Sequence, residues 1–466
     1  MSRTPLGSRP IALVLTATSI LLAGAWPASA VPVFARKYQT SCQTCHSIFP
    51  KLNPFGQAFR LNGYRMPAET AEQIKETPVS LGAEAYKRTW PQMVYPSDLP
   101  GGAPFALNVK MASLYASSRD ESGKQVVHAD FQFPQEANLF SAGTLGERFG
   151  FFGEATFEER PDGGADLEIE HAQLNVDSPF GKENLVHFRI GKIAPNVFDS
   201  FQEMWIMTNN GIDTLFIYNP IGFNGGTGLA EDGGVGLPGL VRGIEMYGVA
   251  KHRLFYVVGV ANTIGPGGPN DTFGNNSKKD VYGRVDWKFG GMGLDGDTTG
   301  VTLPPENWRE KSFRLGAFGY TGNGTDIPFD VADEAGNPFK MQDVRYNRVG
   351  GFASWYWRDL NVFGVFLHGT DKLQLLDSED LSFISENKRD YDAWFAQADY
   401  VIKPPFQTSL RYEHVRVADS SAPPIKVLNA NFSFLIRANI KAMLEYNRDL
   451  ENSGNYALAT VLRFAY

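Results

Sequence analysis

The chain has 466 residues, of which 43 are basic and 51 are acidic, and it contains only two cysteines. If residues 1–30 are removed, as argued below, two arginines are lost and the 41 remaining basic residues leave a net charge of −10. This charge argues against nucleic acid as a partner. After residue 30, no run is long and apolar enough for a transmembrane helix.

Residues 1–30 are predicted to be a secretory signal peptide. Arg3 and Arg9 form a basic start, residues 11–26 are mostly apolar, and Ala28-Ser29-Ala30 offers small residues for cleavage. A retained membrane anchor is the alternative, but the apolar run is short for a spanning helix. The mature chain is therefore expected to be exported.

The pentapeptide Cys42-Gln43-Thr44-Cys45-His46 contains both cysteines and has the spacing of c-type haem attachment. Cys42 and Cys45 would each form a thioether to a haem vinyl group, and His46 would be the proximal iron ligand. A disulfide, which is common in an oxidising compartment, and a Cys-x-x-Cys redox motif are alternatives. Neither requires a histidine at position 46, so we predict one covalently bound haem c and an electron-transfer role.

Residues 31–80 are predicted to form a small c-type cytochrome segment around this motif. Its apolar residues could line one haem face, but roughly 50 residues is near the lower limit for an independent core. The segment should therefore need a surface to dock on. Those apolar residues are Ile48, Phe49, Leu52, Phe55 and Phe59.

The sequence offers several candidates for the sixth ligand of the haem iron. Met66 is one candidate, and His/Met ligation would raise the reduction potential. His128, His171 and His187 are others, since each occurs at a polar position of an alternating stretch. An iron with no sixth protein ligand is the remaining alternative.

Residues 103–466, after a linker at 81–102, alternate with a period of two. The clearest stretches are 429–436, 440–447 and 456–466, each with one face more apolar than the other. Such stretches of about ten residues are typical of transmembrane β-barrel strands, although a soluble β-sandwich has the same alternation. Export, the terminal aromatic residue Tyr466 and the alternation of short and long connections favour a barrel. The predicted fold is mainly β: an antiparallel outer-membrane β-barrel of about 16 strands with a small N-terminal haem segment.

The predicted strands lie near 103–118, 125–142, 146–159, 166–177, 184–193, 241–249, 253–262, 279–289, 311–320, 343–357, 360–370, 389–401, 406–417, 425–437, 439–448 and 454–466. Tight turns are predicted at 143–144, 251–252, 358–359, 403–404 and 437–438. Long connections are predicted near 194–240, 263–278, 321–342 and 371–388. Placing the short turns in the periplasm puts the haem segment there too. The Gly-rich connection 290–310 is long on the same side, and it is either an insertion or a sign of a miscounted strand.

The N-terminal segment resembles the fused outer-membrane cytochrome–porin family, which includes the iron-oxidising cytochromes of iron bacteria. The resemblance covers about 35 residues and depends on three motifs in this sequence: Val33-Phe34-Ala35-Arg36, Cys42-x-x-Cys45-His46, and Phe49-Pro50-x-Leu52-x-Pro54-Phe55-Gly56 with Phe59-x-Leu61-x-Gly63-Tyr64 after it. It implies a monohaem domain joined to a sixteen-stranded barrel, with Cys42, Cys45 and His46 as haem residues. It also implies electron uptake from extracellular Fe(II) and delivery to periplasmic carriers.

The function expected from these observations is that of an outer-membrane electron conduit. An extracellular donor, Fe(II), would be oxidised through one haem, and a periplasmic c-type cytochrome or another soluble carrier would accept the electron. The chain would then act as a one-electron Fe(II) oxidase in contact with outer-membrane lipid. Three alternatives remain: a porin whose haem segment is a plug, a soluble periplasmic cytochrome fused to a β-sandwich binding module, and a conduit that delivers electrons outward. In loop 194–240, several acidic residues could contact iron, but none is singled out: Asp199, Glu203, Asp213, Glu231 and Asp232.

Overall fold

The computed structural model describes residues 33–70, 72–80, 88, 98–119, 122–159, 164–181, 184–197, 237, 240–262, 278–322, 329–332, 338–377, 380–418, 424–452 and 454–466. The predicted signal peptide, most of the predicted linker 81–102, the connection 263–278 except residue 278, and the five acidic residues of loop 194–240 lie outside these ranges. Among the described residues, no helix has the length and apolar character needed to cross a membrane.

Long antiparallel strands make up most of the described chain. Four short strands precede them: β1 (His46–Ile48), β2 (Lys51–Leu52), β3 (Val79–Ser80) and β4 (Asp98–Leu99). The others are β5 (Phe105–Arg119), β6 (Gln125–Leu145), β7 (Phe149–Glu159), β8 (Ala165–Asp177), β9 (His187–Ile193), β10 (Val241–Ala250), β11 (Leu254–Asn262), β12 (Lys279–Gly290), β13 (Glu310–Gly322), β14 (Phe329–Ala332), β15 (Pro338–Arg358), β16 (Leu360–Asp377), β17 (Phe383–Lys403), β18 (Phe406–Val417), β19 (Ile425–Arg437), β20 (Ile440–Asp449) and β21 (Tyr456–Ala465).

The sheet closes on itself. Each long strand pairs with its sequence neighbour, and β21 pairs with β5 through contacts such as Leu458 with Tyr115. Strand β14 is a short addition that pairs only with the start of β15, while β13 pairs with β15 directly. The described residues thus form a closed antiparallel barrel of sixteen long strands, as predicted. A sandwich has open edges, so the β-sandwich alternative is wrong.

The alternation seen in the sequence separates the two faces of the barrel wall. Outward-facing side chains are exposed and mostly apolar, for example Ile244 and Leu315. Inward-facing ones are buried and include most of the polar residues, such as Asn431 and Glu445, as well as an apolar cluster around Phe318. Aromatic residues are exposed on the outer face near the short-turn end, among them Trp357. An apolar outer band with aromatic residues at its margin is the pattern of a transmembrane barrel, because lipid contacts the outside and water or polar groups the inside.

The strands differ from the prediction at three connections. The β6–β7 turn lies at 146–148 rather than at 143–144, which belong to β6. The predicted loop 371–388 is largely strand, because β16 extends to Asp377 and β17 begins at Phe383. Part of the predicted loop 321–342 forms β14. In the extensions of β16 and β17 the outer face is polar at Lys372, Glu386 and Lys388, so the apolar face that marks a membrane-crossing strand ends there even though the backbone pairing continues.

The connection 291–309 between β12 and β13 is an insertion at the short-turn end of the barrel, and no strand was miscounted there. The described part contacts the N-terminal segment at three places. Asn62 Nδ2 donates to the Asp295 backbone oxygen across 2.9 Å, and Asn307 Nδ2 donates to the Thr44 oxygen across 2.9 Å. Gly296 approaches Pro67 so closely that a Cβ at Gly296 would overlap the proline ring. The insertion therefore covers part of the haem segment predicted from the sequence.

The N-terminal segment has little regular structure of its own. It contains a helix at Val33–Tyr38, a 3₁₀ turn at Cys42–Thr44, the small β1–β2 sheet and a helix at Pro54–Leu61. After residue 70, β3 pairs with β4. This pairing joins the end of the N-terminal segment to the residues just before β5, the first barrel strand. Pro50 and Pro54 interrupt the backbone between β1 and the second helix, which keeps each element short.

Candidate functional site

Residues 33–70, called the plug below, lie inside the short-turn end of the barrel. Contacts come from several directions around the wall. Arg36 donates to the backbone oxygens of Ala103 and Phe105 across 2.8 and 2.6 Å, and Tyr247 donates to the Leu61 oxygen across 3.1 Å. Because short turns lie on the periplasmic side of outer-membrane barrels, this end is the periplasmic one. The predicted need for a docking surface is met by the lumen wall.

Buried charges attach the plug to the opposite part of the wall. Lys51 Nζ forms an ion pair with Asp399 of β17 and donates to Asn361 of β16 across 2.8 Å. Lys441 of β20 donates to the backbone oxygen of Phe49 across 2.6 Å. Burial lowers the pKa of Lys51, and the neighbouring Asp399 opposes that effect. These contacts hold the β1–β2 hairpin, next to the cysteine motif, in one orientation.

The cysteine motif forms a tight turn. The Thr44 and Cys45 backbone N–H groups donate to the oxygens of Ser41 and Cys42 across 3.0 and 3.2 Å, and the Ser41 side chain caps the turn. Both cysteines are partly exposed free thiols. Burial raises the pKa of Cys42, and burial together with the neighbouring Cys42 raises the pKa of Cys45 to about 12. The thiols are therefore protonated at neutral pH and are poor partners for disulfide exchange.

A hydrogen bond to the His46 ring defines its tautomer. Nδ1 lies 2.9 Å from the backbone oxygen of Pro50, and since a carbonyl only accepts, Nδ1 carries the proton. Burial lowers the pKa of His46, which keeps the ring neutral at neutral pH. Nε2 then has a lone pair for a metal. Ligating histidines usually donate their other ring N–H to a carbonyl or carboxylate, so His46 fits the role of an iron ligand.

Asn53 connects the cysteine turn to the following helix. Its Oδ1 accepts from the Gly56 N–H across 2.9 Å, which caps the helix at Pro54–Leu61. Its Nδ2 donates to the oxygens of Gln43 and Thr44 across 3.1 Å each, and its N–H donates to the Cys45 oxygen across 2.9 Å. Gly56 lies directly against the Cys45 carbonyl, where a Cβ would overlap that oxygen. The buried side-chain amide of Asn53 therefore forms hydrogen bonds with both the cysteine turn and the following helix.

The apolar residues predicted to line a haem do not all share one environment. Ile48 is buried against Leu435 of β19, and Phe59 is buried between the rings of Phe34 and Tyr38. The three other predicted lining residues stay partly exposed in the plug and could cover a bound porphyrin. They are Phe49, Leu52 and Phe55.

Four residues were candidates for the sixth iron ligand. Met66 lies in the plug and is partly buried, and its ligation stays a prediction. His171 and His187 are buried and face inward, where each Nδ1 contacts a carboxylate: Glu154 at 3.0 Å and Asp177 at 3.1 Å. His128 is exposed near the far end of β6. Ligation by any of these histidines also stays a prediction.

Asn53 and the pair of glutamates Glu154 and Glu170 were not among the functional candidates predicted from the sequence. Glu154 and Glu170 lie with His171 on the lumen wall, and their ligand atoms are all within 4.8 Å of one another. A signal for this arrangement is present in the sequence. In β8 the apolar residues have odd numbers up to Leu167 and Ile169 but even numbers from Ala172 onward. This change indicates a β-bulge between Ile169 and Ala172.

No family model and no curated protein matches the chain. Among solved structures, the chain is similar to OmpF of Salmonella typhi in complex with daunomycin, with 11% identity, 80% of this chain and 99% of that chain covered, and a TM-score of 0.49. It is also similar to an anion-selective porin from Comamonas acidovorans, with 12% identity, coverage of 78% and 99%, and a TM-score of 0.46. A third similar structure is the outer membrane channel DcaP of Acinetobacter baumannii, with 12% identity, 79% of this chain and 97% of that chain covered, and a TM-score of 0.43.

These similarities are likenesses of fold, and the assignment of the barrel depends on its own strand pairing. The sheet is closed, and its outer face is apolar with aromatic residues at the margin. Its inner face carries buried polar and charged side chains together with a buried apolar cluster that includes Phe255, Phe318 and Leu61 of the plug. Only a closed barrel satisfies every backbone group of a sheet in a bilayer. The chain is an outer-membrane β-barrel of porin-like architecture.

Proposed function

We propose that this barrel oxidises an extracellular one-electron donor, Fe(II), and passes the electron to a soluble c-type cytochrome in the periplasm. The observation that carries the proposal is the position of Cys42-x-x-Cys45-His46 inside the periplasmic end of the lumen, with His46 held in the Nδ1–H tautomer by Pro50. That tautomer leaves Nε2 for the iron of one covalently bound haem c.

The residues of the plug fit such a group. Cys42 and Cys45 are free, partly exposed thiols three positions apart, as two thioether bonds require. The haem would supply a one-electron iron couple at this position. The protein's part is to hold the motif rigidly through Asn53 and Lys51, and to keep lipid away from it with the barrel wall.

Access to both sides of the membrane supports a conduit. Gln39 and Ser41, next to the cysteine motif, are exposed at the periplasmic end and would leave room for a soluble acceptor. Toward the other end of the lumen, the inward-facing carboxylates Asp130 and Asp166 are exposed. Exposed negative charge raises the local concentration of cations, which favours a cationic donor such as Fe(II) over an anionic one.

The test uses the full chain in the outer membrane of a host that matures c-type haem. Mass spectrometry should find one porphyrin on the mature protein and none on a Cys42→Ala/Cys45→Ala variant. Anaerobic Fe(II) added to intact cells should reduce the haem absorption bands of the wild type. An intact barrel without covalent porphyrin would refute the haem assignment. A haem that Fe(II) fails to reduce at any pH where Fe(II) is stable would refute iron oxidation.

The second candidate is a porin in which the plug limits solute passage. It is favoured by the barrel itself, since sixteen strands can enclose an aqueous lumen. The measurement is conductance in planar bilayers, with the wild type compared with a variant lacking residues 33–70. Large, solute-permeable conductance of the wild type together with no reduction of the haem by Fe(II) would favour this candidate over the conduit.

A further inference from the structure

We infer that Glu154, Glu170 and His171 form a binding site for a divalent transition-metal cation on the lumen wall, immediately beyond the plug. The inference deepens the proposed function, because it names where the substrate cation would be held. It depends on that function only for the choice of Fe(II) as the physiological ion. The site itself is argued from the geometry of β7 and β8.

A β-bulge creates the site. Glu154 of β7 lies opposite His171, and Ala155 lies opposite Ile169, so Glu170 is an extra residue on β8. Before the bulge, the exposed apolar residue Ile169 faces lipid, and after it His171 is buried and faces the lumen. Both Glu170 and His171 therefore face inward, next to Glu154. A regular strand would direct one of these two neighbours into the membrane.

The three side chains have the chemistry of a metal site. Two carboxylates and one imidazole offer ligand atoms within 4.8 Å of one another, and His171 Nδ1 lies 3.0 Å from Glu154 Oε2. Carboxylates alone would favour Ca²⁺ or Mg²⁺, whereas an imidazole shifts the preference toward Fe²⁺, Mn²⁺, Co²⁺ or Zn²⁺. The predicted ligand is therefore a divalent transition-metal ion.

Charge balance distinguishes Glu170 from several buried carboxylates of the inner wall. Each of those carboxylates pairs with a cationic side chain. Glu170 has no ion pair with an arginine or lysine within the described part of the chain. Two glutamates this close repel each other unless a cation or a proton lies between them. The paired carboxylates include Asp286 with Arg284, Glu245 with Arg189, Asp371 with Arg348 and Glu310 with Lys288.

The cluster is also connected to the plug. The ring of His171 contacts the ring of Phe152 edge-on at 5.5 Å, and Phe152 stacks on Tyr64 of the plug at 5.7 Å. Gln173, two residues along β8 from His171, donates to the Tyr64 hydroxyl across 3.0 Å. A cation at this cluster would thus lie one step along the wall from the plug, on its extracellular side.

Metal binding can be measured without any redox readout. Full-length protein in detergent is titrated anaerobically with Mn(II), and free Mn(II) is followed by its electron paramagnetic resonance signal. Loss of an outer-shell partner of a metal ligand typically weakens metal binding by about 10-fold to 100-fold. Loss of a ligand itself should weaken binding at least as much, so we expect an effect of at least this size in Glu170→Gln and in His171→Asn. Glu158→Gln is the matched control, because Glu158 faces inward on the same strand as Glu154, and this substitution removes the same charge.

The expected result is one Mn(II) per chain at this site, displaced by Fe(II) and Zn(II) but poorly by Ca(II). Equal weakening of Mn(II) binding by Glu170→Gln and Glu158→Gln would overturn the inference, because the effect would then come from the loss of negative charge in the lumen and not from the loss of a ligand. Equally effective competition by Ca(II) would overturn the predicted ion class. Heat-modifiable gel mobility verifies that each variant forms a barrel.

Failure of the site and failure of the proposed function give different results. Absence of specific Mn(II) binding with normal haem reduction by Fe(II) would refute the site and leave the function in place. Specific Mn(II) binding without haem reduction by Fe(II) would support the site and refute the proposed function. Where both hold, Glu170→Gln should slow reduction by low Fe(II) concentrations and leave reduction by dithionite unchanged.

Discussion

Lys51 of the plug and Asp399 of β17 form an ion pair in which both side chains are almost fully buried, 348 residues apart in sequence. Neither residue is explained by the alternation of the barrel strands alone. The pair joins the hairpin that follows His46 to the wall of the barrel. The position of the candidate haem motif therefore depends on a contact between the two ends of the chain.

Replacing Lys51 by Met should loosen the plug without opening the barrel. Removing one partner of a buried ion pair leaves an uncompensated charge and typically costs about 3–5 kcal/mol. We expect hydrogen exchange of residues 33–70 to accelerate accordingly, while exchange in the strands stays slow. Lys388→Met is the control, because Lys388 and Asp390 form an exposed pair. Restored protection in Lys51→Met/Asp399→Leu would support the charge explanation, and unchanged exchange in Lys51→Met would contradict it.

Substitutions at Asn53 should separate its two tasks. Asn53→Ala removes the helix cap at Gly56, which costs about 1 kcal/mol, and also the bonds to Gln43 and Thr44. Asn53→Asp keeps an acceptor for Gly56 but loses the donated bonds. We expect fast exchange in helix Pro54–Leu61 for Asn53→Ala only, and a disturbed cysteine turn for both variants. An undisturbed turn in Asn53→Asp would show that capping is the whole role of Asn53.

Gly56→Ala should displace the cysteine turn from its helix. The added methyl group would overlap the Cys45 carbonyl, and forced overpacking of this kind costs about 1–3 kcal/mol. We expect a smaller fraction of chains with covalent haem, measured by mass spectrometry, and faster exchange at residues 42–61. Gly319→Ala in β13 is the control, because its nearest neighbour to the new Cβ is the Arg348 oxygen at 3.9 Å. Equal haem fractions in both variants would contradict the prediction.

The docking of the insertion 291–309 should depend on pH through His252. Its Nδ1 lies 2.7 Å from Asp295, and that hydrogen bond raises the pKa of His252 above its ordinary value. A raised pKa in the folded state means that the pair stabilises the fold fully below the ordinary pKa, about 6.5, and loses its effect as the pH rises through the raised value. Because His252 is 55% exposed, the change should stay within about 1 kcal/mol.

Hydrogen exchange of residues 291–309 between pH 5.5 and 8.5 measures this effect. Protection should decline with rising pH in the wild type, after correction for intrinsic exchange, and should be independent of pH in His252→Gln. His368→Gln is the matched control, since His368 pairs with Asp392 at the other end of the barrel across 2.8 Å. A decline that persists in His252→Gln would assign the pH dependence to another group.

Much of the barrel could be predicted from the sequence because a period of two has a local cause. In β21, Leu458, Thr460 and Leu462 face lipid, and the residues between them, Ala457, Ala459 and Val461, face the lumen. Prediction failed at β16 and β17, where the strands extend beyond Thr370 and before Arg389. There the outer face has polar residues such as Lys372, Glu386 and Lys388, so the apolar face of a membrane-crossing strand is missing from the sequence.

The candidate site was only partly predictable. Cys42, Cys45 and His46 are adjacent in the chain, so their spacing alone indicates haem attachment. The contact of Asn53 with the turn and the meeting of Glu154 with Glu170 depend on backbone geometry at a helix cap and a β-bulge. The shift of the apolar residues from odd to even positions near residues 170–171 is visible in the sequence. Which residue of β7 lies opposite that shift is not.

The amino-acid sequence by itself determined the strand pattern and the Cys-x-x-Cys-His motif, because each depends on neighbours a few positions apart. Only the tertiary structure decided where the motif lies, which wall residues hold it, and which carboxylates lack a cationic partner. Those features depend on side chains that are hundreds of residues apart in the chain, such as Lys51 and Asp399, and closure of the sheet is what brings them together.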